Sequence, residues 1–203
     1  MTAGGLRVRR GGIEDVDAVL ALERQVAEAP HWTRESYASI VGNFVPAGDA
    51  CAGYHEAAGG EQDGAGRVRR ALFVVEESGD LLGFSVGSVW GGELIVTAVG
   101  KERNPLWGEL ETVVVAQAER RRGAGRALCL AVVEWCRVEG AERVDLEVRA
   151  GSGGAVTLYE DLGFGVTGHR RGYYSDPVED ALLMALRVRG ADVDGGPPSP
   201  DAR

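Results

Sequence analysis

Residues 110–128 read LETVVVAQAERRRGAGRAL. The run contains three adjacent β-branched residues, Val113, Val114 and Val115, the composition of a buried strand. From Ala124 to residue 138, alanine and leucine recur at helical spacing. Between the two lies Arg120-Arg121-Arg122-Gly123-Ala124-Gly125-Arg126. A strand that passes through a basic glycine turn into a helix start builds an anion site. Glycine lets the backbone approach a ligand closely. The first helical N–H groups are unpaired, and the helix dipole favours negative charge beside them. Arginines there suit a phosphate or pyrophosphate. The same residues would also serve as a plain tight turn with solvated arginines. A P-loop is excluded, because no Gly-Lys-Ser/Thr ending follows. A dinucleotide-binding fingerprint is excluded as well, because its third glycine would fall where Leu128 stands.

Around this stretch the composition is that of an ordinary globular domain. The chain has 203 residues, 44% hydrophobic and 26% charged, enough for one domain with a real core. A single domain is expected over residues 1–189, with a flexible insertion near 47–66 and a disordered, proline- and glycine-rich tail at 190–203. No apolar run approaches the ~20 residues of a membrane span, and the N-terminus lacks a signal-type hydrophobic segment. A cytoplasmic protein with no membrane partner is expected. The net charge of −9 disfavours nucleic acid as a partner. Cys51, Cys129 and Cys136 do not form a disulfide framework. Cys129 and Cys136 are spaced to share a helix face and read as packing residues. His31, His55 and His169 are scattered, and no Cys/His cluster has metal-ligand spacing, so no metal is expected.

Upstream, residues 6–10 alternate as a strand and 14–28 read as an amphipathic helix that Pro30 stops. Thr33 caps a short helix over 34–41. The hinge Ala29-Pro30-His31-Trp32 reads equally as a lid over a pocket or a plug for the core. Residues 71–77 and 81–90 form a hairpin about Ser78-Gly79-Asp80. Residues 91–107 are an extra strand or a surface loop. A strand follows at 109–115, then the helix at 124–139, ended by Gly140. Downstream come a strand at 143–149, a helix at 155–162 and a closing antiparallel pair at 164–171 and 181–188. The order β-α-α-β-β-β-α-β-α-β-β gives one mixed α/β (α+β) sheet with helices on both faces. The strands near residues 113 and 147, each followed by a helix, should be parallel neighbours.

In 143–149 (RVDLEVR), Val144, Leu146 and Val148 point one way and Asp145 and Glu147 the other. Glu147 therefore sits near the C-terminal end of a central strand, where ligand crevices of open α/β sheets form. Tyr159 follows twelve residues later in a short helix. A carboxylate and a phenol that converge on one cleft can act as base and acid. Singly, Glu147 reads better as a solvated strand residue paired with Arg149, and Tyr159 as a core aromatic with its hydroxyl at the surface.

The pattern Arg120-x-x-Gly123-x-Gly125 after a strand, with LEVRAGSGGAVTLYEDLGF at 146–164, resembles the GNAT acetyltransferases, which bind acetyl-CoA. Residues 170–174 (RRGYY) and 179–186 (EDALLMAL), with Leu22-Glu23-Arg24 and Pro30-His31-Trp32, resemble the ribosomal-protein-alanine N-acetyltransferases of the RimI type. The resemblance is close over 110–186, loose over 6–41 and weak over 42–109. It implies that Val113, Val114 and Val115 offer backbone groups to the pantetheine arm. Arg120, Arg121, Arg122, Gly123, Ala124, Gly125 and Arg126 would hold the pyrophosphate. Glu147 would be the general base and Tyr159 the general acid. Ser152 stands where the family usually carries asparagine, a pantetheine contact. The acceptor wall would come from Trp32, residues 91–107, Tyr173 and Tyr174. The implied reaction is direct acetyl transfer from acetyl-CoA to the N-terminal alanine of a ribosomal protein, by a monomer or weak dimer. The alternatives are a GNAT enzyme for a small-molecule amine or another protein, and a non-catalytic CoA-binding module.

Overall fold

A computed structural model describes residues 5–26, 29–42, 68–92, 94–97 and 100–188. The expected insertion at 47–66, the tail at 190–203, Cys51 and His55 lie outside these residues. Nine strands are described: β1 (Arg7–Arg10), β2 (Arg69–Glu77), β3 (Asp80–Gly91), β4 (Leu94–Thr97), β5 (Gly100–Arg103), β6 (Leu106–Val115), β7 (Arg143–Arg149), β8 (Gly165–Ser175) and β9 (Val178–Arg187). The helices are α1 (Val16–Glu23), α2 (Arg34–Val41), α3 (Ala124–Val138) and α4 (Gly153–Asp161).

Seven strands form one sheet in the order β1-β2-β3-β6-β7-β9-β8. Every neighbouring pair is antiparallel except β6 and β7, which are parallel as the strand–helix repeats require. The ambiguous stretch at 91–107 resolves into three parts. β4 and β5 pair with each other as a separate two-stranded ribbon, and residues 106 and 107 begin β6.

Local chemistry sets the boundaries. Ser78 and Gly79 both have positive φ, 55° and 93°, the geometry of a tight hairpin turn that matches strand twist. Thr33 caps α2 by accepting from the Ser36 N–H at 3.2 Å. The expected helix over 14–28 is corrected: a short 3-10 turn at Ile13–Asp15 leads into α1, which ends at Glu23. Its last turn tightens into i→i+3 bonds, Gln25 N–H to Leu22 and Val26 N–H to Glu23.

Three apolar clusters fill the two faces. α3 and α4 cover one face, where Cys129, Val132, Trp135, Cys136 and Tyr159 pack on Val144, Leu146 and Val148. α1 and α2 cover the other, where Val16, Val19, Tyr37 and Ile40 pack on Leu72, Val74, Phe84 and Val86. Cys129 and Cys136 are buried free thiols in this packing, and burial pushes each up to about 12. His169 is exposed on β8.

Candidate active site

The cleft arises where β6 and β7 part. Their parallel ladder is short: Trp107 with Arg143, Gly108 with Val144 and Glu109 with Asp145. Beyond that rung the two strands are no longer paired, while β6 stays bonded to β3 as far as Val115. A bulge on β6 accompanies the parting. Val86 faces Thr112 and Gly87 faces Leu110, so Glu111 is the extra residue. Bulges bend the strand that carries them and redirect its side chains.

A cavity of about 230 Å³ occupies the opening. β6 lines it with Glu109, Glu111 and Val113, β7 with Glu147, α4 and its cap with Tyr159 and Ser152, the α1–α2 hinge with Pro30 and Trp32, and β8 with Tyr174. Of the residues singled out from the sequence, Val113, Glu147, Ser152, Tyr159, Trp32 and Tyr174 therefore meet in one place. Val114, Val115, Tyr173 and residues 120–126 lie outside its lining.

Glu147 comes off the strand face opposite Val144, Leu146 and Val148, which lie in the core beneath α3. The alternative pairing with Arg149 is corrected: Glu147 pairs with Arg170 of β8 at 2.6 Å. Arg149 instead reaches Glu179 at 3.3 Å and the carbonyl of Asp176 at 3.0 Å. The reason is the β9–β8 pair, which brings Arg170 opposite Ala181 on β9 while Arg149 faces the same residue from β7. The guanidinium of Arg170 also lies 5.2 Å from the Tyr173 ring, and Arg149 lies 4.0 Å from the Tyr174 ring. Tyr173 thus backs the site through Arg170, and Tyr174 enters it.

Tyr159 is only 9% exposed and packs edge-on against Phe164 at 5.9 Å. Burial, then the neighbouring Cys129 and Tyr174, push its phenol well above the ordinary range. The hydroxyl therefore keeps its proton at neutral pH and is present as a donor. Trp32 fits both readings of the hinge: it lines the cavity and packs on the α1–α2 core. The backbone N–H of Trp32 donates to Glu23 at 3.2 Å, and the Tyr37 hydroxyl donates to the same carboxylate at 2.7 Å. Glu23 is 1% exposed and fixes the hinge from below.

The arginine turn closes the far end of β6. Gly123 has φ 89° and precedes α3, so the turn needs a residue that accepts left-handed backbone. A Cβ on Gly125 would lie 3.5 Å from Leu158, an ordinary contact. Arg120 donates to the Val115 carbonyl at 3.3 Å. Arg122 is held by Glu77 at 2.8 Å and by Glu119. Arg121 and Arg126 are exposed. A bare β6 edge that leads to basic residues at a helix N-terminus suits a long ligand with an anionic centre. Among the described residues no cluster of His, Cys, Asp and Glu is arranged to hold a metal.

Sequence reasoning missed Arg70, Glu109, Glu111 and Arg170. Arg70 and Glu111 form a nearly buried pair at 2.8 Å, their side chains 11% and 8% exposed. Burial, followed by the charges of Glu111 and Glu147, pushes Glu109 up to about 8. The signal available was the alternation of Gly108, Glu109, Leu110 and Glu111, which places two acidic residues in a central strand. A carboxylate there is rare without a task or a partner.

Comparison with known proteins agrees with this geometry. A model of the Acetyltransferase (GNAT) family matches residues 32–164. An 81-residue segment, 39% of this chain, is 40% identical to ribosomal protein bS18-alanine N-acetyltransferase of Escherichia coli (strain K12), and spans about half, 55%, of that relative's length. Over 117 residues, 57% of the chain, it is 32% identical to the N-alpha-acetyltransferase of Saccharolobus solfataricus, covering 68% of that protein. The crystal structure of Arabidopsis thaliana NAA60 in complex with acetyl-CoA shares the fold, with a TM-score of 0.65 at 16% identity over 91% of this chain and 100% of the other. Because the family match takes in α2 through α4 and both strands that bound the cleft, the chain belongs to the acetyltransferase (GNAT) family.

Proposed function

We propose that this chain transfers an acetyl group from acetyl-CoA to the N-terminal alanine of a ribosomal protein, directly between two bound substrates. The observation that carries the reading is the convergence of Glu147 and Tyr159 on one cavity between parted parallel strands. The named activities of the bacterial and archaeal relatives support a protein N-terminus as the acceptor, and a ribosomal protein as substrate would place the reaction in the cytoplasm. Acetyl-CoA would supply the thioester carbon. The free edge of β6 at Val113–Val115 would hold its pantetheine arm, with Ser152 at the opposite wall, and residues 120–126 would hold its pyrophosphate.

In this reading the chain's residues position an amine and move protons. Trp32 and Tyr174 would wall the acceptor's path, with Tyr173 behind them. A peptide α-amine has a pKa of about 8, so the site must relieve a largely protonated nitrogen before it can attack. Glu147 would accept a proton from the acceptor nitrogen. Tyr159 would donate to the departing sulfur, whose thiol pKa is about 8.5. No covalent intermediate on the protein is required.

The test compares protein N-termini by mass spectrometry in cells with and without this chain. The expected difference is loss of acetylation on one alanine-starting ribosomal protein. Unchanged ribosomal N-termini, with transfer to a small amine by the purified protein, would replace this reading with the small-amine one.

A further inference from the structure

β7 and β9 are paired from Arg143 with Arg187 up to Arg149 with Ala181, and there β7 ends. The β8–β9 hairpin continues past that point, with Tyr174 opposite Glu179 and Ser175 opposite Val178. This overhanging end carries Tyr174 into the wall of the cavity. A bulge aims it: residues 171–173 of β8 stand opposite Asp180 alone. Gly172 within the bulge has φ 58°, and its N–H donates to the Asp180 carboxylate at 2.8 Å. A two-stranded ribbon by itself is marginally stable in water. The direction of this end therefore depends on what else holds it.

Arg149, the last residue of β7, holds it at several points. Its guanidinium donates to the Asp176 carbonyl at 3.0 Å, to the Pro177 carbonyl at 3.4 Å and to the Glu179 carboxylate at 3.3 Å. The guanidinium carbon lies 4.0 Å from the centre of the Tyr174 ring. Glu179 in turn accepts from the Gly151 N–H at 2.5 Å, and the Asp180 carbonyl accepts from the Ala150 N–H at 2.9 Å. The Arg149 side chain is 17% exposed and lines the cavity with Ser152 and Tyr174. One side chain thus joins the turn that leads into α4 to the tip that carries Tyr174. Arginine suits the place, because its planar fork reaches several acceptors while its face stacks on an aromatic ring. A lysine there would be a single compact charge without that geometry.

We propose that Arg149 is a positioning residue for the acceptor: it clasps the overhanging end of the β8–β9 hairpin to the turn before α4 and so sets Tyr174 in the wall of the acceptor's path. This rests on the acetyl-transfer reading above. Arg149 acts through Tyr174 and takes no part in proton transfer. Its loss therefore weakens the acceptor's hold on the site and leaves the chemical step and the cofactor alone.

Two measurements on the full-length protein test this. The first is turnover with acetyl-CoA on an alanine-starting peptide and on a small primary amine. On whichever acceptor the wild type uses, Arg149→Lys should raise the acceptor KM about tenfold and keep kcat within about threefold. Its acetyl-CoA affinity should stay within about twofold. In a Tyr174→Leu background the same Arg149→Lys change should raise the acceptor KM by less than about twofold, because the two residues act as one unit. An unchanged acceptor KM in Arg149→Lys overturns the proposal, even if the urea midpoint falls, because that pattern is a purely structural ion pair. An equal rise of KM in both backgrounds overturns it as well, because Arg149 would then act without Tyr174.

The second measurement needs no turnover. In protein labelled with 13C at tyrosine rings, the Tyr174 signal, identified by its loss in Tyr174→Phe, should move in Arg149→Lys and in Glu179→Ala. The signal of Tyr37, which packs on the opposite face of the sheet, should stay and report an intact fold. A Tyr174 signal unmoved in both variants overturns the clasp. A wild type that acetylates neither acceptor breaks the acetyl-transfer reading instead, and the Tyr174 signal still decides whether Arg149 sets that ring.

Discussion

The two ends of β6 are adjacent in sequence and opposite in bonding. From Trp107 to Glu109 the strand is paired on both sides, to β3 and to β7. From Leu110 to Val115 it keeps β3 and has no rung with β7. The closed end is packed so tightly that a Cβ on Gly108 would lie 2.8 Å from the Cys136 sulfur. The open end runs out to Gly123, whose Cβ would meet nothing within 4 Å. One strand thus serves as a clamp at its start and as an empty ledge at its finish. The difference teaches that the cleft is made by a missing ladder and a bulge within one continuous strand.

The comparison breaks hardest if the residues across the ledge are not the chemical ones. Glu147→Gln and Tyr159→Phe should each lower turnover about 10²-fold or more while acetyl-CoA remains bound. Steady-state kinetics beside calorimetric titration would read this, and wild-type turnover in both variants would end the base and acid assignments.

Next in size is a pair of glycines, one at each end. Gly108→Ala should cost about 1–3 kcal/mol, because the Cys136 sulfur and Cβ and the Val144 methyl must give way. Gly125→Ala should leave stability unchanged or slightly raised, yet weaken acetyl-CoA about tenfold, or about 1.4 kcal/mol, if backbone there approaches the pyrophosphate. Urea midpoints and acetyl-CoA titrations would show whether the two penalties separate as stability and affinity.

A smaller effect distinguishes Glu109 from its arginine-paired neighbours. Its folded value of about 8 lies above the ordinary 4.5, so the native state holds a proton that the unfolded chain releases. Wild-type stability should therefore fall as pH rises from about 4.5 to 8. Glu109→Gln cannot titrate, so its stability relative to wild type should be higher at pH 8 than at pH 4.5, by on the order of 1 kcal/mol. Chemical denaturation at the two pH values checks the sign, and a pH-independent difference would refute it.

The smallest expected change concerns Arg122, held by Glu77 and Glu119 at the surface. Glu77→Gln should shift stability by no more than about 0.5 kcal/mol. It should tighten acetyl-CoA slightly by freeing a cation beside the turn, an effect that salt weakens.

Much of this was legible in the chain. The 2-residue period of RVDLEVR placed Glu147 opposite Val144 and Val148, and the fold keeps that division. The run of valines, the glycine turn and the alanine-rich helix appear where periodicity put them. Strand, turn and helix chemistry is local, so residues a few positions apart suffice to reveal it. The α1 end at Glu23 was less legible, because a buried carboxylate that accepts from Trp32 and Tyr37 is a contact across the hinge. β4 and β5 were less readable for another reason: among the described residues they pair with each other as a ribbon apart from the seven-stranded sheet.

By itself the sequence determined the order of the strands of the main sheet and of the helices, and the parallel β6–β7 pair. These follow from spacing, and spacing is a property of the chain; Glu147 and Tyr159 became candidates only together, through the resemblance to a family. Only the tertiary structure decided where the ladder stops, which arginine serves which carboxylate, and how far burial raises Glu109. Those outcomes depend on register between strands far apart in sequence, and on burial, which raises the basicity of a carboxylate only once other elements have excluded water from it.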